Sequence, residues 1–308
     1  MAYSSGLAQL RFDGQVAVVT GVGSGLGHGY ALELARRGAT VVGSVRPGGE
    51  NGPGADELRR VARSEGLDLE LVAADSASEE QATRLVTGAV DRHGRIDVLI
   101  NNAGYNVPGA IHDGTTEQLR AMLDVALMGT FWTMVPALAN MRARGSGRIV
   151  NTVSGAGMFP ASGAFAYSAC KGAIQAMSRS AALDNADLDV GINMISPIAV
   201  TTLSPDYRGI HPDLDADRMS VARVLPAVVY LCHPSCKLRG QTLHAAAGRV
   251  AIAGTFVARG WGSDTLTAED IGGHINEICD ESEIFVLHDR LAQYELIPKR
   301  AEDFARWG

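Results

Sequence analysis

The sequence predicts an α/β fold: a doubly wound parallel sheet in a single domain, followed by a C-terminal helical extension. Three observations predict it. Short aliphatic and β-branched runs recur along the chain, apolar throughout rather than alternating, as strands buried on both faces must be. Helical patterns separate these runs, so successive strands lie parallel and cross over with the right hand. A glycine-rich turn joins the first strand to the first helix, where such sheets receive nucleotides.

Residues 16–20 (Val-Ala-Val-Val-Thr) are the first strand. A helix through residues 30–37 follows, closed by Gly38. Residues 40–45 make the second strand. Residues 46–55 are rich in glycine and proline and read as a loop, leading to a helix over 56–64. The third to sixth strands fall at 70–74, 96–101, 148–152 and 191–195. No internal repeat or long linker interrupts them, so residues 1–250 read as one catalytic domain and residues 251–308 as an extension. In the extension Thr267 is a helix N-cap with Asp270 at the third position. Ile271, Ile275 and Ile278 then recur on one helical stripe, and a second helix is expected over 289–296. The extension is expected to pack on the domain or on a neighbouring subunit; a cover over the substrate site is the alternative.

Composition narrows the function. The chain has 308 residues, 46% hydrophobic, with 36 glycines and a net charge of −7. An acidic chain argues against a nucleic-acid partner, which calls for a basic face. No run reaches the length of about 18 or more apolar residues that spans a bilayer, so no membrane partner is expected. The N-terminus lacks a charged-then-apolar signal, and the four cysteines lack framework spacing. A cytoplasmic protein with free thiols is expected. Cys232 and Cys236 read as the end of a buried helix rather than a metal site, because no second ligand cluster accompanies them.

The turn Thr20-Gly21-Val22-Gly23-Ser24-Gly25-Leu26-Gly27 is suited to a pyrophosphate. Glycines let backbone N–H groups approach the phosphates, and the following helix start adds a partial positive charge. Gly21, Ser24, Gly25, Leu26 and Gly27 are therefore candidate cofactor ligands. An acid at the tip of the second strand would bind the ribose of NAD. Here the strand ends Val45-Arg46, and Arg46 suits the 2′-phosphate of NADP by charge-assisted hydrogen bonds. NADP(H) is thus the preferred cofactor, with NAD(H) still open. Asp75 is placed for the adenine, and Asn102, Ala103 and Gly104 lie along the nucleotide at the end of the fourth strand.

Tyr167 and Lys171 stand four residues apart, thirteen and more beyond Ser154. On a helix that spacing puts both on one face. A free tyrosine has a pKa of about 10, and a fixed positive charge beside it favours the phenolate. Such a tyrosine exchanges a proton with an alcohol or carbonyl oxygen, and Ser154 can hold the same oxygen.

Together, T-G-x-x-x-G-x-G at 20–27, N-N-A-G at 101–104, Ser154 and Y-x-x-x-K at 167–171 resemble the short-chain dehydrogenase/reductase family, with matching order and spacing over residues 10–250. The resemblance implies a Rossmann-fold oxidoreductase, a homodimer or homotetramer, that needs no metal. It implies Tyr167 as general acid/base, Lys171 as its tuner and ribose ligand, and Ser154 as the carbonyl-orienting hydroxyl. It places Pro197 and Thr201 or Thr202 near the nicotinamide. Leu10-Arg11-Phe12-Asp13-Gly14, Ile195-Ser196-Pro197-Ile198-Ala199 and Gly248-Arg249-Val250-Ala251 are similar to one branch: the (3R)-hydroxyacyl-CoA dehydrogenase module of peroxisomal multifunctional enzymes and its bacterial relatives.

Two positions depart from the family pattern. Ala126 stands where the family carries an asparagine that helps hold a water linking the lysine to bulk solvent, and Ile198 where a glycine commonly follows the proline. The first expectation is an NADP(H)-dependent oxidoreductase interconverting a ketone and a secondary alcohol on an apolar small molecule. Ala126 leaves open a non-redox reaction on the same fold, such as isomerisation, epimerisation or elimination. A nucleotide-binding regulatory protein is the third reading, against which the intact Ser154, Tyr167 and Lys171 argue. Residues 202–222 are expected to form a flap, and Met158, Phe159 and Phe165 either an apolar pocket wall or ordinary core.

Overall fold

A computed structural model describes residues 9–201, 217–263 and 265–297. The chain divides into two compact units, one ending at Ala253 and the other beginning at Gly254.

The first unit is built on an eight-stranded sheet. Its strands are β1 Val16–Val19, β2 Thr40–Val45, β3 Leu69–Ala73, β4 Val98–Asn101, β5 Ser146–Thr152, β6 Asp189–Ile198, β7 Thr242–Ala246 and β8 Arg249–Ala253. Their spatial order is β3-β2-β1-β4-β5-β6-β7-β8. Every neighbouring pair is parallel except the hairpin β7–β8. The order reverses between β1 and β4, which opens a crevice at their carboxyl ends.

Side chains of the central strands alternate between two apolar layers, as the strand period requires. Ala17, Val19, Val41, Ile100 and Val150 enter one cluster; Val18, Val42, Leu99 and Ile149 enter the other. The first layer is covered by α1 Gly25–Arg36, α2 Pro53–Glu65 and α7 Leu225–Cys232. The second is covered by α3 Glu79–His93, α5 Gly129–Arg144 and α6 Phe165–Asp184.

Several elements differ from the sequence reading. Helix α1 starts at Gly25, inside the glycine motif, because its first turn belongs to the nucleotide cradle rather than to the apolar stripe. The loop 46–55 is shorter than expected, since α2 begins at Pro53, where proline's fixed φ suits a first helical residue. Strands β7 and β8 were not foreseen from their mixed composition. They meet at a tight turn in which Ala247 has φ 50° and Gly248 φ 85°. Helix α7 ends at the buried Cys232, in keeping with the helix-end reading of that cysteine.

Helix α4, Thr116–Met122, runs through a π-helical segment, Leu123–Met128, into α5. Contrary to expectation, this continuous run, Thr116–Arg144, is long and apolar enough to cross a membrane. Its apolar residues serve two faces instead. Met134, Ala137 and Met141 are buried in the second layer, and Phe131 and Val135 are exposed on an adjoining side of the helix.

The second unit contains the hairpin β9 Val257–Ala258 with β10 Ile284–Phe285, and two short helices, α8 Ala268–Gly273 and α9 Ile275–Ile278. Thr267 and Asp270 form a reciprocal capping box at the start of α8. The expected single stripe is broken at His274, whose ring stacks on Trp261 at 3.9 Å. The helix expected over 289–296 is a 3₁₀ turn, Leu291–Leu296.

Candidate active site

The glycine turn is held by two hydroxyls that sequence reasoning passed over. Thr20 Oγ1 accepts the Asn102 N–H at 2.9 Å and the Ala103 N–H at 3.0 Å. Ser44 Oγ accepts the Gly21 N–H at 3.2 Å. Asn102 closes the clasp, its Nδ2 donating to the carbonyls of Thr20 at 3.1 Å and Gly21 at 3.2 Å. Gly21 has φ 71°, and a β-carbon on it would stand 2.9 Å from Ala103 Cα. Only glycine allows both the turn and the approach.

This clasp frames a cavity of about 640 Å³ over the carboxyl ends of β1, β2 and β4. Gly21, Ser24, Gly25, Leu26, Arg46, Asp75, Asn102, Ala103, Gly104 and Thr201 all line it. Gly27 does not: a β-carbon there would overlap the Gly21 carbonyl, so this glycine serves close packing beneath the turn. The first turn of α2, from Gly52 to Gly54, lines the cavity as well, and a β-carbon on Gly54 would overlap the Gly23 carbonyl. The start of α2 therefore rests directly on the glycine turn. Arg46 is exposed at the rim, with no ion pair among the described residues. Asp75 is committed to its own turn, its Oδ1 accepting the Ala77 N–H at 2.9 Å.

A dinucleotide fits this cradle: the glycine turn and the N-terminus of α1 line it, and its volume lies in the ligand-pocket range.

A second cavity of about 150 Å³ adjoins the first and shares Leu26, Asn102, Gly104 and Thr201 with it. Ser154, Tyr167, Lys171 and Pro197 line it. Ser154 follows β5 and caps a 3₁₀ turn, Gly155–Gly157, its Oγ accepting the Ala156 N–H at 3.2 Å. Tyr167 and Lys171 lie one turn apart near the start of α6, with Lys171 Nζ 5.7 Å from the Tyr167 ring centroid. Pro197 arrives on β6, which runs three residues past its expected end.

Lys171 is 4% exposed, and its Nζ donates to the Thr152 carbonyl at 2.7 Å. Burial pushes its ammonium down to about 8, since the charged form loses hydration. Burial raises the neighbouring Cys170 thiol, whose Sγ donates to the Met122 carbonyl at 3.4 Å.

Asn106 and Thr152 also line the small cavity and had no motif to announce them. Met158, Phe159 and Phe165 line neither cavity. The Phe165 ring is seated over Gly114, where a β-carbon would come within 2.5 Å of it, and Phe159 is 53% exposed. Thr202 and most of the expected flap fall outside the described residues.

Residues 15–207 match the family model of the short chain dehydrogenases. The chain belongs to the short-chain dehydrogenase/reductase family. It is 33% identical over 254 residues to peroxisomal multifunctional enzyme type 2 of Drosophila melanogaster, covering 80% of this chain and 41% of that one. The chain thus spans less than half of that relative's length. It is 34% identical over 241 residues to the hydroxyacyl-CoA dehydrogenase ChsB1 of Mycobacterium tuberculosis, covering 74% of this chain and 76% of that one. Among solved structures, a short chain dehydrogenase from Mycobacterium avium superposes with a TM-score of 0.76 at 29% identity, over 88% of this chain and 96% of that one. These similarities support the multifunctional-enzyme branch of the family and an oxidoreductase activity.

Proposed function

We propose that this chain is an NADP(H)-dependent oxidoreductase that interconverts a ketone and a secondary alcohol on a hydroxyacyl-type substrate. The observation that carries the reading is the meeting of Ser154, Tyr167 and Lys171 in one cavity that opens onto the dinucleotide cradle. When bound, the nicotinamide supplies or accepts the hydride. Ser154 and Tyr167 hold the substrate oxygen, and Tyr167 gives it a proton in the reductive direction. The Lys171 ammonium stabilises the phenolate that proton donation leaves.

The preference for NADP(H) rests on the end of β2. Val45 offers no carboxylate to ribose hydroxyls, and Arg46, with no ion pair among the described residues, lines the cradle together with the start of α2. A guanidinium and a helix N-terminus together suit a phosphate monoester. NAD(H) enters the same cradle without that contact. The hydroxyacyl class is supported by the polar wall of the small cavity, where Asn106 and Thr201 adjoin Ser154 and Tyr167, and by the activity named for the Mycobacterium tuberculosis relative. A homodimer or homotetramer is supported by α5, where Phe131 and Val135 are 45% and 51% exposed one turn apart.

Replacing Tyr167 with Phe tests the reading. Turnover is expected to fall by about 10²–10⁴-fold while nucleotide affinity stays within a few-fold, because only the proton donor is lost. Unchanged turnover removes Tyr167 from this role.

A further inference from the structure

Ala126 lies within the π-helical turn and packs in the apolar cluster of Val153, Cys170 and Ile174. A β-carbon on Gly104 would stand 3.9 Å from Ala126 Cβ and 3.9 Å from Lys171 Nζ, so both groups border Gly104. Ala126 is 1% exposed, and its methyl has no hydrogen-bonding atom to offer. Its carbonyl is the remaining polar group. That oxygen accepts the Gly129 N–H and the Thr130 hydroxyl, the latter at 2.6 Å. A carbonyl oxygen has two lone pairs, and both are engaged. Residue 126 therefore has no acceptor left to pass a proton between Lys171 and the helix behind it.

Lys171 gives one ammonium hydrogen to the Thr152 carbonyl. Lys171 is nearly buried and lines the small cavity, beside Ser154 and Tyr167. The geometry points to a proton path with a single door among the described residues: Lys171, and through it Tyr167, exchanges protons with bulk solvent through the mouth of the catalytic cavity and not through the α4–α5 helix. This rests on the reductase reading above. Burial, which favours the neutral amine, makes Lys171 a ready donor to a neighbouring phenolate.

The consequence is an order of events. In reduction, the substrate carbonyl carbon gains a hydride, its π electrons move to oxygen, and that oxygen takes the Tyr167 proton. A bound dihydronicotinamide would supply that hydride, leaving the ketone reduced and the Tyr167 phenolate beside the Lys171 ammonium. The replacing proton comes from water by the same opening that nucleotide and product fill. Recharging of Tyr167 waits for product to leave.

Stopped-flow measurement in weak buffer tests this, following nucleotide absorbance together with a pH indicator. The expected result is proton uptake that lags nucleotide oxidation and coincides with product release. Uptake simultaneous with nucleotide oxidation in the first turnover overturns the single door while leaving the reductase reading intact. Absence of nucleotide oxidation with any ketone overturns both.

A readout without turnover uses the three lysines, Lys171, Lys237 and Lys299. The Lys171 ammonium signal of lysine-labelled protein is assigned with Lys237→Arg and Lys299→Arg. Its exchange with water is expected to slow by about tenfold or more when NADP⁺ saturates the protein. Thr130→Val frees a lone pair on the Ala126 carbonyl, and Ala126→Asn supplies a new acceptor; either is expected to recover the exchange. Exchange that NADP⁺ binding leaves unchanged overturns the proposal whether or not the variants fold.

Discussion

Gly157 rests on the backbone of α6 at Lys171: a β-carbon on it would stand 2.8 Å from the Lys171 carbonyl carbon and 2.7 Å from the next amide nitrogen. The contact is backbone against backbone, so nothing flexible gives way. It sets how closely the turn that carries Ser154 approaches the helix that carries Tyr167. Gly157→Ala is expected to cost about 1–3 kcal/mol of stability, the range for overpacking, and to lower turnover more than nucleotide affinity. Denaturant unfolding and nucleotide titration of the purified variant check the two halves separately.

Lys171 sets a pH dependence of stability in the nucleotide-free protein. Its folded value of about 8 lies below the unfolded value of 10.5, so the unfolded chain binds more protons between them. Stability contributed by this site therefore rises with pH across that window, and below it burial of the charge costs on the order of 3 kcal/mol. Lys171→Met is expected to be inactive yet more stable than wild type at neutral pH. The gap should narrow towards pH 10.5 in thermal unfolding. A gap that widens with pH contradicts the assignment.

The proposed preference for NADP(H) rests on Arg46. Arg46→Leu is expected to weaken NADP(H) binding by roughly tenfold to a hundredfold, the loss of one or two charge-assisted hydrogen bonds, with little change for NAD(H). Adding Val45→Asp should invert the preference. Equal loss for both nucleotides in a fluorescence titration would place Arg46 elsewhere than at a 2′-phosphate.

Phe131 and Val135 form the exposed apolar ridge of α5. The double change Phe131→Glu and Val135→Glu is expected to yield monomers in analytical ultracentrifugation, with the fold kept, because neither side chain belongs to the buried layers. An unchanged oligomer assigns the interface to another face.

Ala247 is the one non-glycine residue with positive φ among those described, at the tip of the β7–β8 hairpin. The left-handed region costs an ordinary L-residue roughly 1–2 kcal/mol. Ala247→Gly relieves the steric part, and Ala247→Asn is expected to raise stability by about 1 kcal/mol, since asparagine tolerates this region. Thermal unfolding of the two variants measures it.

The sequence announced what depends on local pattern. Val16 to Val19 and Val98 to Asn101 read as buried strands because both their faces are covered. The Tyr167–Lys171 spacing read as one face of a helix, and α6 is that helix. What remained hidden depends on contacts between distant segments. Thr20 and Ser44 look like ordinary strand-end residues until the loops they clasp are brought together. Asn106 and Thr152 reach the small cavity only because β4 and β5 are neighbours. The placing of Phe165 over Gly114 depends on a contact across some fifty residues, so periodicity had no means of separating packing from pocket wall. The π turn around Ala126 has no sequence signature of its own.

The central claim is that Ser154, Tyr167 and Lys171 perform nucleotide-linked reduction of a ketone. The most direct measurement follows the oxidation of NADPH, and separately NADH, against a ketone panel that includes a 3-oxoacyl-CoA. Saturable oxidation, faster with NADPH and lost in Tyr167→Phe, is the predicted result. Nucleotide that binds in a fluorescence titration while no ketone is reduced and no alcohol oxidised would contradict the account and favour a non-redox reaction at the same site.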